Sequence, residues 1–258
     1  MTGTQHEQTA DWDALWEAEP EADAGALALE ARTIRWRAQE ELVERHVGAL
    51  DGLRVIEVGG GRAENGLLYA KRGARVTVLD RSPVALRQAQ SRFAKHDLPI
   101  ETIEADVFAL PDDMRGSFDV SMSFGLCEHF LGERRRGVIA AHLELLRPGG
   151  LALINVPNRL SPIYRLWMAS AKLRGRWVLG TEVPFSGREM LRLARASGGL
   201  PLRPVYCGGL GTIVNQGVNP VLSKLGVRPL AVSQRRVPVL DYLAYDLLVP
   251  VLRPAGQA

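Results

Sequence analysis

Three consecutive glycines sit directly behind an acid in "VIEVGGGRAENG", residues 55–66. Glycines at the end of a strand let the backbone approach something bound, and Glu57 beside them argues against a ligand that is only a phosphate. Two ligand classes use a strand, a glycine turn and a helix N-terminus in this way. In the dinucleotide fingerprint G-x-G-x-x-G the third glycine lies near the pyrophosphate, and counting from Gly59 and Gly61 that position holds Glu64. A carboxylate facing a pyrophosphate is repelled by about 1 kcal/mol even when screened by water, and by more when dry. S-Adenosylmethionine fits better. Its carboxylate can use loop amides and the helix N-terminus, and its cationic groups favour a nearby acid, which Glu57 supplies. Asp80, about twenty residues past the glycines, is placed to accept both ribose hydroxyls, each charge-assisted bond contributing roughly 1.5 to 3 kcal/mol. Asp106 can take the adenine amino group, with the amide of Val107 next to it.

Methyl transfer is an in-line displacement at an already activated carbon, so a protein must mainly align the nucleophile and exclude water; positioning contributes up to about 7 to 11 kcal/mol. A base for a hydroxyl or ammonium acceptor adds about 10² to 10⁴ in rate. His129, in "FGLCEHF", is the first candidate for that base, and Glu128 is a candidate cofactor or substrate contact. Cys127, Glu128 and His129 are consecutive and cannot all face one ion without a distorted backbone, so no metal is expected. His142 reads as a packed or surface residue of a helix, His46 and His96 suit helix ends, and His6 falls in the terminus.

The elements that must carry these residues alternate. "LRVIEV" (53–58) has buried-strand composition, "NGLLYAKRG" has helical spacing with a glycine stop, and "ARVTVLD" (74–80) is β-branched again. "SPVALRQAQSRFAKHD" begins with a Ser82 cap and Pro83 in the first turn. Further strands are expected at 100–106, 118–124 and 151–157, with a helix over "GERRRGVIAAHLELLRPGG". Strands alternating with helices imply a parallel sheet covered on both faces, with ligands at the carboxyl ends of its strands. Before the sheet, "DWDALW" and a helix within 30–47 either dock on the domain or form a lid. After it come an inserted helical segment at about 158–182, a helix capped by Ser186, and a late strand, "LPLRPVYC". Five prolines punctuate residues 209–258, where "LDYLAYDLLV" reads as the one helical piece.

The ordered set of acid-G-x-G, Asp80, Asp106, "EHF" and "RPGG" resembles the class I S-adenosylmethionine-dependent methyltransferases of the small-molecule kind related to ubiquinone-pathway enzymes, over about residues 50–158. The resemblance implies a three-layer Rossmann-like α/β fold, with a mostly parallel seven-stranded sheet whose last strand runs antiparallel. It implies cofactor contacts from Glu57, Gly59, Gly60, Gly61, Asp80, Arg81, Asp106, Val107, Phe124 and Glu128. In such enzymes the Glu-His pair can also shape the cofactor pocket or join a metal site with further carboxylates. Ala63 stands where the family often has a third loop glycine, a change that should leave the turn intact. Residues 1–50 are then a helical cap or lid, and 51–258 the methyltransferase domain with its insertion.

At 258 residues and 46% hydrophobic the chain can bury a full core. Two cysteines and no recognisable leader suggest a cytoplasmic protein rather than a disulfide scaffold, and charges interrupt every apolar window, so no membrane span is expected. The first fifty residues carry eleven acids against four bases, and residues 159–258 fourteen bases against four acids. A basic tail third suits a solvated surface or an anionic partner. The expected acceptor is a small, lipophilic or aromatic metabolite methylated at oxygen or nitrogen. An RNA methyltransferase and a catalytically degenerate cofactor-binding subunit are the alternatives; nucleic acid is disfavoured because no RNA-binding module accompanies the arginines.

Overall fold

A computed structural model describes residues 10–18, 24–230 and 236–256. Three helices, α1 (Trp12–Ala18), α2 (Ala24–Glu30) and α3 (Ile34–His46), precede the first strand. There follow β1 (Arg54–Val58), α4 (Glu64–Ala70), β2 (Arg75–Asp80), α5 (Pro83–Ala94), β3 (Glu101–Glu104) and β4 (Phe118–Phe124). Then come α6 (Glu133–Leu145), β5 (Leu146–Pro157), α7 (Pro162–Leu173) and α8 (Gly187–Ala196). The two expected caps are present: the Ser82 hydroxyl accepts from the Ala85 amide and that of Ser186 from the Glu189 amide.

The sheet order is β3-β2-β1-β4-β5-β8-β6, where β6 is Leu200–Pro201, β8 is Asp246–Leu252, and β7 (Val205–Cys207) also pairs with β8. Only β8 is antiparallel to its neighbours. Eight strands are therefore counted where seven were expected, because the late strand is split into β6 and β7. The split has a physical cause. Leu202 donates to the Pro250 carbonyl, and the reciprocal bond cannot form because proline has no N–H. The strand breaks opposite that missing donor.

The helical reading of "LDYLAYDLLV" is corrected. Only Pro238–Asp241 is helical; residues 242–245 turn, and Asp246 opens β8, which lies buried between β5 and the β6/β7 pair. Burial on both faces removed the alternation that would have marked a strand, and Pro250 argued against one.

Alternate residues of each strand feed two apolar layers. Val55, Val76, Val78 and Val120 meet α3, α4 and α5 on one face, where Trp36 packs edge-on against Tyr69 at 5.1 Å. Ile56, Val58, Ile154 and Val249 meet α6 and α8 on the other. Within that second layer, His142 of α6 is fully buried. Its Nδ1 lies 3.2 Å from the Ser121 hydroxyl and its Nε2 3.0 Å from that of Ser123, tying α6 to the strand that delivers residues 124–129 to the site.

Burial pushes the His142 imidazole down to about 3. The folded state therefore refuses a proton that the unfolded chain takes up near its ordinary value, so the stabilisation is complete above about pH 6.5 and is lost as pH falls toward 3. This group alone should cost about 2 kcal/mol between pH 7 and pH 5. Urea unfolding of the wild type and His142→Asn at the two pH values should differ by that increment; parallel profiles would disprove it.

Candidate active site

A cavity of about 480 Å³ opens at the carboxyl ends of β1, β2 and β4, roofed by α1. The strand order gives it two ends. Residues after β2 and β3 line one, and residues after β4, with the segment following α7 and the approach to β8, line the other.

Glu57 is buried at the tip of β1, and its Oε2 accepts from the Gly66 amide at 2.8 Å. Helix α4 starts from Ala63, which is left-handed (φ 54°) and offers no side-chain cap. Glu57 thus caps α4 from a distance, filling one of the orphan donors of the first turn. Ala63 takes the conformation that a glycine would adopt, at a cost of about 1 kcal/mol, held by its amide's 2.7 Å bond to the Gly60 carbonyl. Burial pushes the Glu57 carboxyl up to about 8 despite the Gly66 bond. A cation entering the cavity would return it to the charged form.

Asp80 uses both oxygens: Oδ2 accepts from Gly61 (2.8 Å) and Oδ1 from Ser82 (2.9 Å). Burial still holds this carboxyl above its ordinary range. Each oxygen retains a second lone pair for a ligand donor. Asp106 is exposed at the mouth, oriented by accepting from the Phe108 amide at 2.9 Å, and Val107 is buried beneath it. Arg81 reaches the Ala10 carbonyl at the rim, and the Phe124 ring lies 5.4 Å from the Arg35 guanidinium.

The glycines serve the protein as well as any ligand. Gly61 has φ +50°, and a Cβ there would fall 2.5 Å from the Trp16 ring; one at Gly59 would meet Leu126. Gly60 faces inward, toward Val78 and Glu57. Trp16 is held by its carbonyl, which accepts from Arg62 and from Gln88 at 3.0 Å each. Asp13 accepts from the Ser82 hydroxyl. Trp12 meets the His129 ring edge-on at 4.9 Å. Helix α1 has no buried residue of its own, so these contacts are its hold on the domain.

His129 Nδ1 is 2.8 Å from the Thr181 carbonyl. Burial lowers the imidazole below its ordinary value, outweighing the carbonyls of Thr181, Gly125 and Leu179, which raise it. The ring is therefore neutral near pH 7, its proton lies on Nδ1, and Nε2 carries the lone pair. Glu128 is 2% exposed, its Oε2 has no partner, and burial raises it well above the usual carboxylate range.

All the residues singled out in the sequence line the cavity except Gly61, whose amide contributes through Asp80. The sequence reading missed Arg35, Asn65, Glu182 and Tyr245, which line it too. Glu182 had a signal: it is one of four acids in the basic last hundred residues. The segment carrying it is clamped by Arg135, which bonds Glu189 and the Val183 carbonyl at 2.6 Å each.

Replacing Glu57 by alanine should strand the Gly66 amide and cost about 1 to 3 kcal/mol, while glutamine, which keeps an acceptor, should stay close to wild type. Chemical denaturation reads both; equal losses would rule out the cap.

A family model described as "Methyltransferase domain" matches residues 55–150. The ubiquinone biosynthesis O-methyltransferase of Chromobacterium violaceum is 29% identical over 182 residues, covering 70% of this chain and 75% of that protein. Its counterpart in Azotobacter vinelandii is 28% identical over 176 residues, covering 67% and 72%. Among solved structures, magnesium protoporphyrin IX methyltransferase from Synechocystis PCC 6803 with bound SAH superposes with a TM-score of 0.59 at 14% identity, covering 94% of this chain and 92% of that one. Sheet topology, the methyltransferase-domain match and the curated relatives together support a class I S-adenosylmethionine-dependent methyltransferase, and the solved structure shares its fold.

Proposed function

We propose that this enzyme methylates a hydroxyl oxygen of a small, lipophilic or aromatic metabolite, with His129 as the base that removes the hydroxyl proton. One observation carries the reading: the Thr181 carbonyl holds the His129 proton on Nδ1, so that the neutral ring presents Nε2 as base in a cavity whose opposite end carries Asp80 and Asp106. The O-methyltransferase names of the curated relatives support oxygen over nitrogen and a small molecule over RNA.

S-Adenosylmethionine, when bound, supplies a methyl group activated by the adjoining sulfonium. Asp80 and Asp106 are assigned to its ribose and adenine, with Val107 and Arg81 flanking them. Glu57 and the turn of Gly59, Gly60 and Gly61 are assigned to its amino-acid end, and Phe124 and Glu128 to the wall beside the reacting carbon. The buried carboxyls at 57 and 80 fit a cationic, hydroxyl-bearing ligand, since each is held above its ordinary range in the cavity as it stands. Trp12 and Trp16 of α1 are the lid that excludes water, supported by their packing over His129 and the glycine turn. The acceptor is assigned to the space bounded by His129, Leu179, Glu182 and Tyr245. A cytoplasmic site of action is part of the same reading, supported by two free, buried cysteines; no helix among the described residues is long and apolar enough to cross a membrane.

Asp80→Ala should weaken S-adenosylhomocysteine binding at least about tenfold by calorimetry, through loss of charge-assisted bonds; unchanged affinity would reject the ribose assignment. His129→Ala should lower turnover about a hundredfold or more with cofactor affinity intact. Because burial lowers the imidazole, the wild-type rate should hold through pH 7 and fall only below the ordinary histidine range. Normal turnover in the variant removes His129 from the mechanism.

A further inference from the structure

We propose that the acceptor end of the cavity receives a cationic nitrogen between Glu128 and Glu182, so that the molecule methylated carries a basic amine near its acceptor oxygen. The proposal rests on the methyltransferase reading above for which end of the cavity is the acceptor end.

Glu182 is 5% exposed, lines the cavity, and among the described residues accepts no hydrogen bond and makes no ion pair. Glu128 is 2% exposed, lines the same cavity, and its Oε2 is orphaned. Glu128 has a backbone amide, its own, for one oxygen and nothing for the other. Two buried, under-satisfied carboxyls thus line one space, an expensive arrangement in which the charge of one makes ionisation of the other harder. Their other neighbours give little relief: Arg135 favours the charged form of Glu128, but burial outweighs it. Arg35 is committed to Glu30 at 2.7 Å and to Asp246 at 3.3 Å, and Arg135 to Glu189 at 2.6 Å. Asp246 also accepts from Asn155 at 2.8 Å, His129 is neutral, and burial holds the Tyr245 hydroxyl above its ordinary range, hence protonated.

A neutral donor would satisfy one oxygen of one carboxyl. A positive charge lowers the energy of both, and ion–carboxylate hydrogen bonds are about twice as strong as neutral ones. The rings of Trp12, Phe124, Phe130 and Tyr245, all in the cavity lining, are walls that suit a cation. No cluster of three metal-ligating side chains occurs among the described residues, which favours an organic cation over a metal ion. Burial pushes Glu182 up to about 7 and Glu128 higher still, so Glu182 is the member whose charge appears near neutrality.

The test uses the full chain saturated with S-adenosylhomocysteine and three probes of like shape: 2-phenylethylamine, 2-phenylethanol and phenylacetate, titrated by calorimetry. At pH 8 the amine should bind at least about tenfold more tightly than the alcohol, and phenylacetate more weakly than either. The advantage should shrink at pH 6, where Glu182 takes up its proton while the amine stays charged. Glu182→Gln should abolish the advantage and leave S-adenosylhomocysteine affinity within about twofold, which also shows that the variant is folded. Equal binding of amine and alcohol overturns the proposal, as does an amine preference that survives in Glu182→Gln. A large loss of S-adenosylhomocysteine affinity in the variant overturns it by assigning Glu182 to the cofactor's own ammonium. Tighter binding of the alcohol on adding magnesium, with no gain for the amine, overturns it in favour of a metal. Failure of the wild type to bind S-adenosylhomocysteine is read separately, before any probe is added, and rejects the reading beneath it.

Discussion

Asp80 accepts from the Gly61 amide through one oxygen and from the Ser82 amide through the other, and the glycine turn and the start of α5 at that end of the cavity are tied by this two-sided hold. Gly61 is the surface on which Trp16 rests, and Ser82 is the residue that Asp13 grips. Helix α1 therefore docks on two loops that one carboxylate keeps in register. Because Asp80 is buried, its bonds to backbone amides are strong, and so is the penalty for leaving those amides unmade. The same group that is assigned to a ribose in the proposed reading also shapes the turn around it.

The opposite end is organised by Arg135 rather than by a strand tip. Its guanidinium holds Glu189 and the Val183 carbonyl and lies over the Phe185 ring, while the Val183 amide donates to the backbone carbonyl of Glu128. That clamp fixes the stretch containing Thr181 and Glu182 against the loop after β4. The imidazole tautomer of His129 thus depends on an ion pair one layer behind it. Carboxyls cluster along the cavity floor, and burial holds Glu57, Glu128 and Glu182 above the usual carboxylate range. A cavity of this kind stores desolvation energy that a cationic ligand releases.

Much of the central domain was legible because its signals are local. The Ser82 and Ser186 caps, the glycine stop of α4 and the β-branched runs of β1 and β2 each depend on a few adjacent residues, and all appear where read. The C-terminal strand was not legible. β8 is buried on both faces, so its apolar run shows no alternation, and Pro250 is tolerated there only because the neighbouring chain breaks opposite it. Glu182 and Tyr245 were not read as site residues for a related reason: neither stands in a motif, the only signal of Glu182 is its rarity as an acid in a basic stretch, and only packing brings the two to the cavity.

By itself the sequence determined the order of elements through β5, the strand-tip acids and the family to which they point, since hydrophobic period, caps and glycine turns are set by neighbours in the chain. The tertiary structure decided which nitrogen of His129 carries the proton, that Glu57 caps α4, that α1 roofs the cavity, and that two carboxyls from distant segments line one space. Charge state and tautomer follow from burial and from partners remote in the chain, and those exist only once the layers have packed.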